Sequence, residues 1–235
     1  MMSSSQSVAV PQIRHRGPSL LLLVIVYTVL MAVGGATLNA AFRIPHESAA
    51  AIAFVAGISR SLRLGSFCEF GSAVPLGIFV ATVVSRLRFL RVRAAGEMIA
   101  LVGGITAMGM LLLSGLALWS LTRPGIAGVD GTVRALEALG FAGGGPGFVV
   151  PLGLFVAGVS ITAGLYRLIP RWLMVLGLVV AVASELASLT LLFWSAGYFI
   201  PVGRFLSIVW MIGIAVTLPS RIPAHRGAES IAQHA

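Results

Sequence analysis

Residues 74–81 read VPLGIFVA, and residues 150–157 read VPLGLFVA. Seven of the eight positions are identical, and each copy lies inside an apolar stretch of about 20 residues, at 70–90 and 147–166. A helix of about 20 apolar residues is long enough to cross a bilayer. The two copies therefore predict two transmembrane helices that carry a proline, a glycine and an alanine at the same places.

Four further apolar stretches flank these two. Across all 235 residues, 58% are hydrophobic and 10% are charged, whereas soluble domains carry about 25% charged residues. This composition excludes a soluble globular domain, and the long apolar runs predict an all-α membrane protein with six transmembrane helices. The predicted spans are 19–42, 70–90, 98–121, 147–166, 172–197 and 201–219.

The similarity between the two halves extends beyond these eight residues. Residues 52–62 match residues 126–136 at six of eleven positions, and Trp119 has a counterpart in Trp194. A nearly constant offset links the matching blocks in one order, which predicts a tandem internal repeat. The sixth span opens with a third copy of the motif, so three helical hairpins are expected. The predicted repeat units are 51–121 and 125–196.

In each copy of the motif, the glycine and the small residue four positions later share a helix face. Small residues at this spacing allow helix backbones to approach closely in lipid. We interpret the motif as a helix-packing surface, with a pore or pocket between three proline kinks as the alternative. The residues concerned are Pro75, Gly77, Ala81, Pro151, Gly153, Ala157, Pro201, Gly203 and Ser207.

The basic residues predict the orientation of the chain. All 16 are arginine, against 7 acidic residues, and the net charge is +9. With both termini in the cytoplasm ten arginines lie inside and six outside, as the positive-inside rule favours. Arginine without lysine suggests a GC-rich bacterial genome, so the inner membrane of a bacterium is expected. The inner ten are Arg14, Arg16, Arg86, Arg88, Arg91, Arg93, Arg167, Arg171, Arg221 and Arg226.

Several segments outside the predicted spans also have expected structures. The apolar segments 48–64 and 130–140 are too short to span and are expected to lie along the outer interface as helices, with re-entrant hairpins as the alternative. Residues 1–18 and 220–235 are expected to be disordered cytoplasmic termini around one transmembrane domain, 19–219. Cleavage of residues 19–36 as a signal peptide is the alternative to an uncleaved first helix.

Three charged residues are candidate functional groups: Glu185, Arg204 and Glu69. Glu185 is predicted about 21 Å along its helix from the inner surface, near mid-membrane, where a charge is costly. It is expected either to be protonated and hydrogen-bonded across helices or to bind a proton or cation. Arg204 is expected near the outer entrance. Glu69 corresponds to Gly145 in the repeat, so it is expected at the outer mouth near Arg63, solvated or paired.

The sequence contains no recognisable motif for catalysis, metal binding or a cofactor. The four histidines lie outside the spans, the single Cys68 cannot form an internal disulfide, and 143–146 (GGGP) lacks the lysine of a phosphate loop. We interpret 143–146 as a flexible link. No catalytic, cofactor-binding or metal residue is expected, and no nucleic-acid partner, because the arginines flank apolar segments. The expected partners are the lipid bilayer and either another membrane protein or a second copy.

The C-terminal part of the chain carries a resemblance. Residues 168–177 (LIPRWLMVLG), 201–205 (PVGRF) and 209–210 (VW) resemble the closing segments of an uncharacterised bacterial family of multi-pass inner-membrane proteins, a domain of unknown function. The resemblance covers about residues 145–218 and implies a multi-pass inner-membrane protein, with no activity to carry over.

Three functions are compatible with this pattern. A structural, accessory or partner-binding membrane protein is the leading expectation, and it predicts a solidly packed bundle. A small-solute or proton carrier or channel that uses Glu185 is the alternative, and it predicts a buried polar cavity. A lipid-acting membrane enzyme is the third, and it predicts outer arginines above a lipid-sized groove.

Overall fold

The computed structural model describes residues 15–39, 48–92, 94–126 and 129–221. Most of the predicted disordered termini, 1–18 and 220–235, lies outside these ranges. The described chain forms seven α-helices, with two short 3₁₀ segments before the last. They are α1 Leu20–Leu38, α2 Ser48–Phe89, α3 Ala95–Ser120, α4 Asp130–Gly144, α5 Pro146–Leu165, α6 Arg171–Leu186, the 3₁₀ segments Ala187–Leu191 and Trp194–Tyr198, and α7 Phe199–Thr217.

Six segments of the described chain are long and apolar enough to cross a membrane, when α4 is joined to α5 and each 3₁₀ segment is joined to the helix beside it. This confirms the prediction of an all-helical protein with six potential membrane spans. The segments pack on one another in chain order, and α7 closes the bundle against α1.

Both ends of the described chain meet at one end of the bundle. The backbone N–H of His15 donates to the carbonyl oxygen of Ser220 over 2.9 Å, and Arg86 near the end of α2 donates to the carbonyl of Leu218 over 3.2 Å. We call this the termini end and the opposite one the far end.

Three aromatic rings from three helices fill the centre of the bundle. Phe79 of α2, Phe155 of α5 and Trp210 of α7 are completely buried. Phe155 meets the other two edge-to-face, with ring centroids 6.2 Å from Phe79 and 5.7 Å from Trp210. Edge-to-face contacts of this kind stabilise one arrangement of the rings, in addition to the stabilisation that comes from the buried apolar area.

The helices α3 and α5 touch along their backbones, and glycine makes this possible. A Cβ atom on Gly103 would lie 2.6 Å from the backbone nitrogen of Phe155, and one on Gly158 would lie 2.6 Å from the carbonyl oxygen of Gly96. Neither position has room for a side chain, so these glycines determine how closely the two helices approach.

The glycines of the repeated motif also face neighbouring helices. A Cβ on Gly77 would lie 2.4 Å from the Met108 sulfur, one on Gly153 2.4 Å from the Ser184 Cβ, and one on Gly203 2.6 Å from a methyl of Val149. The small residue four positions later does not always share the contact, because Ser207 is buried whereas Ala81 is exposed.

The separate interfacial helix or hairpin predicted at 48–64 is not present, because α2 runs unbroken from Ser48 to Phe89. A second hydrophobic cluster at the far end holds its first part in place: Val55 and Leu62 pack there with Leu118 of α3 and Val133 of α4. At about 1.5 Å per residue the helix is about 63 Å long, roughly twice the thickness of a bilayer's hydrocarbon core. The helix is therefore longer than a hydrocarbon core requires.

The second predicted outer helix exists, but it does not stop at Gly140. α4 continues to Gly144 and α5 begins at Pro146, so a single residue separates them. The segment 143–146 is thus a break between two helices and not a free link, which corrects the interpretation from sequence.

The fifth predicted span, 172–197, is too long. α6 ends at Leu186, and the apolar residues after it form the two 3₁₀ segments. The Ser188 hydroxyl donates to the carbonyl of Glu185 over 2.6 Å, a local bond that competes with continued helix. Apolar composition alone does not show such an ending.

Candidate functional site

A cavity of about 180 Å³ lies in the far-end half of the bundle. Its walls come from the last turns of α1, the middle of α2, the junction of α4 with α5, and the first turns of α7. An engineered cavity of about 150 Å³ accommodates benzene, so this space suits a small molecule. The lining residues are Met31, Gly34, Gly35, Leu38, Glu69, Gly140, Phe141, Gly144, Gly145, Ile200 and Arg204.

The break between α4 and α5 forms one wall of this cavity. Gly145 is the only residue between the helices, and its N–H donates to the carbonyl of Phe141 over 2.7 Å. Pro146 takes the first position of α5, where its missing N–H would be unpaired in any helix. Discontinuous helices expose backbone groups inside a membrane protein, and such groups bind solutes and ions in transporters.

Glu69 reaches the cavity from α2 and is 7% exposed. One carboxyl oxygen, Oε1, lies 3.1 Å from the hydroxyl of Ser114 on α3, and that hydroxyl donates to the carbonyl of Gly140 over 2.8 Å. The other oxygen, Oε2, has no hydrogen-bond partner among the described residues. A Cβ on Gly144 would lie 2.7 Å from both Oε1 and the Ser114 hydroxyl oxygen, so a side chain at position 144 would displace one of these two groups.

The expectation that Glu69 is solvated or paired with Arg63 is wrong, because the side chain is 7% exposed and forms no ion pair with Arg63 in the described chain; its position at the outer mouth stays a prediction. That expectation assumed a helix beginning near residue 70, whereas Glu69 lies in the middle of continuous α2. Its side chain faces the interior between α1 and α3. Gly145, its predicted repeat counterpart, lines the same cavity.

Arg204 lies in the second turn of α7 and lines the opposite side of the cavity. Its Nη2 donates to the carbonyl of Gly144, the last residue of α4. The guanidinium carbon lies 5.2 Å from the ring centre of Phe148, and Nε has no partner among the described residues. Arg204 forms no direct salt bridge with Glu69 in the described chain, although their charges interact.

Tyr27 does not line the cavity, but it is a further buried polar group, coupled to Glu69 and Arg204, that sequence reasoning missed. It is completely buried on α1, its hydroxyl has no partner in the described chain, and the charges of Arg204 and Glu69 act on it. A tyrosine within an apolar run gives no sequence signal that distinguishes this position from an interfacial one.

Glu185 does not reach this cavity. It lies one residue before the end of α6, and its side chain is exposed on the outer surface of the bundle. The neighbouring Ser184 is buried, with its hydroxyl unpartnered among the described residues. Of the three candidate charges, the structure brings together Glu69 and Arg204 and leaves Glu185 apart.

The chain matches no protein-family model, and comparisons with curated proteins and with solved structures find no similar protein. The resemblance to an uncharacterised membrane family stays a prediction. Any functional inference therefore depends on the cavity itself.

Proposed function

We propose that this protein is a multi-pass membrane protein that binds a small polar solute in the far-end cavity and carries it across the membrane. The observation that supports this most directly is a pair of opposite charges, Glu69 and Arg204, that line one cavity without touching each other. Each keeps an atom that has no partner in the described chain.

The energetics favour a ligand over a purely structural role. Leaving a buried polar group without a hydrogen bond costs about 1–3 kcal/mol, and more when the group is charged. A bundle selected only for packing gains stability by replacing such groups with apolar ones. Oε2 of Glu69 and Nε of Arg204 are both buried atoms, so a solute or ordered water removes this penalty only if the cavity wall shifts to let it hydrogen-bond one of them.

This proposal corresponds to the carrier expected as the alternative from the sequence, with Glu69 as its protonatable group where the sequence indicated Glu185. The structural or partner-binding role remains the second candidate. The close backbone contacts at Gly103 and Gly158 support that role, because they make much of the bundle rigid.

We further propose the orientation predicted from the arginines, with both termini on the cytoplasmic side of a bacterial inner membrane. The termini end carries Arg86, Arg88, Arg91, Arg167 and Arg171, close to helix ends, as the positive-inside rule favours. The cavity then lies in the outer half of the membrane.

The tandem repeat also remains a proposal. Its support is that both units contain a long helical segment with the motif, from 50 to 89 and from 131 to 165. The equivalent Phe79 and Phe155 meet at the centre of the bundle. Three hairpins and a partner or second copy stay expectations.

The solute-binding proposal is tested by blocking the cavity. Gly35 lines the cavity, is exposed, and offers a Cβ open space for 4 Å, so Gly35→Leu places a large side chain at the cavity wall with no clash at Cβ. Gly109 on α3 is equally unobstructed and lies away from the cavity, which makes Gly109→Leu the matched control. The readout is the thermal unfolding of purified protein with four solutes of one size: butyrate, butylamine, 4-aminobutyrate and butyramide.

At least one solute is expected to raise the unfolding temperature of the unmodified protein and of Gly109→Leu, but not of Gly35→Leu. Bound solute stabilises the folded state by mass action. If no solute does so, or if the two variants respond alike, the cavity is not a solute site.

A further inference from the structure

The hydroxyl of Ser114 lies between two oxygens but has only one proton to donate. Its distances are 2.8 Å to the carbonyl of Gly140 and 3.1 Å to Oε1 of Glu69. A carbonyl oxygen only accepts, and so does an ionised carboxylate, so with Glu69 ionised the single hydroxyl proton serves one of the two oxygens. Both contacts are full hydrogen bonds at the same time only when the carboxyl group of Glu69 is protonated and donates to Ser114 while Ser114 donates to Gly140.

The charge of the cavity therefore depends on one proton. Arg204 is the basic group whose charge acts on Glu69, and Tyr27 on α1, a neutral phenol, is a titratable group on which the charge of Glu69 acts. The groups of α3 and α4 that surround the Glu69 carboxyl group are the Ser114 hydroxyl and the backbone of Gly140 and Gly144. With Glu69 ionised the cavity is neutral, and with Glu69 protonated it carries one positive charge.

A carboxylate is the ligand group that best fits the protonated state. Arg204 lines the cavity, its buried Nε has no partner among the described residues, and guanidinium groups bind carboxylates through charge-assisted hydrogen bonds. Much of the remaining wall is apolar, formed by Met31, Leu38, Phe141 and Ile200. A single guanidinium and a small apolar wall favour one negative charge on a short carbon chain over a polyvalent anion.

We propose that the cavity binds a small monocarboxylate together with one proton. The anion lies against Arg204, and the proton, taken from solution, resides on Glu69 and is donated to Ser114. Binding adds one proton to the ionised Glu69 and one carboxylate anion to Arg204. The two charges cancel, so the protein takes up no net charge. This inference rests on the proposed solute site and specifies its ligand.

The test uses butyrate as the probe and calorimetry on the purified protein from pH 5 to pH 8. Measurements in two buffers with different ionisation enthalpies count the protons taken up. We expect uptake of about one proton per butyrate, with Kd rising about tenfold per pH unit where free Glu69 is ionised. Sodium chloride at equal concentration is the control for an inorganic anion and is expected not to bind.

Substitutions test separately whether Glu69 takes up the proton and whether Arg204 binds the carboxylate. Glu69→Gln keeps a group that can donate to Ser114, so it is expected to bind butyrate without proton uptake and without pH dependence. Glu185→Gln removes an exposed carboxyl group instead and is the matched control, with unchanged behaviour. Arg204→Gln is expected to weaken butyrate binding at least roughly tenfold, whereas Arg60→Gln, at an exposed arginine of α2, leaves it unchanged.

The outcomes separate this proposal from the one it rests on. Butyrate binding without proton uptake by the unmodified protein overturns the proton step, and this measurement needs no variant to fold. Binding of butylamine or 4-aminobutyrate in preference to butyrate overturns the ligand class but leaves the solute site standing. Binding of none of the four solutes overturns both, and chloride binding equal to that of butyrate overturns the requirement for a carbon chain.

Discussion

Adding one methyl group at Gly103 should separate two helices. In Gly103→Ala the new Cβ would lie 2.6 Å from the backbone nitrogen of Phe155 and 2.7 Å from the carbonyl oxygen of Pro151. Both atoms belong to the α5 backbone and cannot rotate away. The helices α3 and α5 must therefore move roughly 0.8 Å apart to reach an ordinary contact of 3.4 Å.

The expected loss follows from two opposing effects. Overpacking of this kind costs about 1–3 kcal/mol, whereas replacing glycine by alanine within a helix gains about 0.5–1 kcal/mol. Gly109→Ala lies on the same helix and meets no atom within 4 Å, so it receives the gain without the cost. The difference in stability between the two variants is therefore about 1–3 kcal/mol, with Gly103→Ala the less stable.

Unfolding in mixed detergent and SDS micelles, followed by tryptophan fluorescence, measures this difference. Both variants carry the same substitution in the same helix, so propensity cancels and the packing term remains. Equal stabilities, within about 0.5 kcal/mol, would show that α3 and α5 do not approach as described.

Three further predictions address other regions. Burial and the charge of Arg86 lower the pKa of His15. The unfolded chain therefore takes up a proton near pH 6.5 that the native protein does not, so the free energy of unfolding should be highest above pH 6.5 and fall below it. His15→Gln should abolish this loss in unfolding curves measured against pH. Glu97→Gln removes the 3.1 Å ion pair with Arg88; the Arg88 side chain is 51% exposed and that of Glu97 is 13% exposed. Because the guanidinium is solvated, the unfolding free energy should change by no more than about 1 kcal/mol; a larger loss would mean that the burial of Glu97 determines the strength of the pair. A cysteine at position 130, in the Cys68→Ser background, should react with an impermeant maleimide in intact cells, and labelling only after lysis would contradict the proposed orientation.

The number of spans was predictable because it depends on long apolar runs, which the bilayer thickness requires. The ends of the helices were less so. Nothing in the sequence around Leu64 distinguishes a helix that stops there from one that continues to Phe89. Gly65 has the residue type of a helix end, but its role is packing, because a Cβ on it would lie 2.5 Å from the side chain of Leu38. The end of α6 at Leu186 depends equally on local hydrogen bonds within an apolar run.

The cavity was missed for a related reason. In the sequence, Glu185 has more apolar neighbours than Glu69, and these neighbours predict a buried side chain. In the structure, however, α6 presents Glu185 on the outer surface of the bundle. Glu69 is buried by three other helices that sequence spacing does not bring together. The interruption of an apolar segment by 143–146 was the one available signal, because such interruptions mark binding sites in membrane proteins, and it was interpreted as a link.

The central claim, that the cavity between Glu69 and Arg204 binds a solute, is tested most directly by protection of a cysteine at its wall. Gly35→Cys in the Cys68→Ser background places a thiol there, and Gly109→Cys in the same background places one in open space on α3. The rate of alkylation by a small maleimide is measured with and without each of the four solutes. The account predicts that the solute that stabilises the unmodified protein slows alkylation at position 35 in a saturable manner and leaves position 109 unaffected; equal rates at position 35 with and without every solute would contradict it.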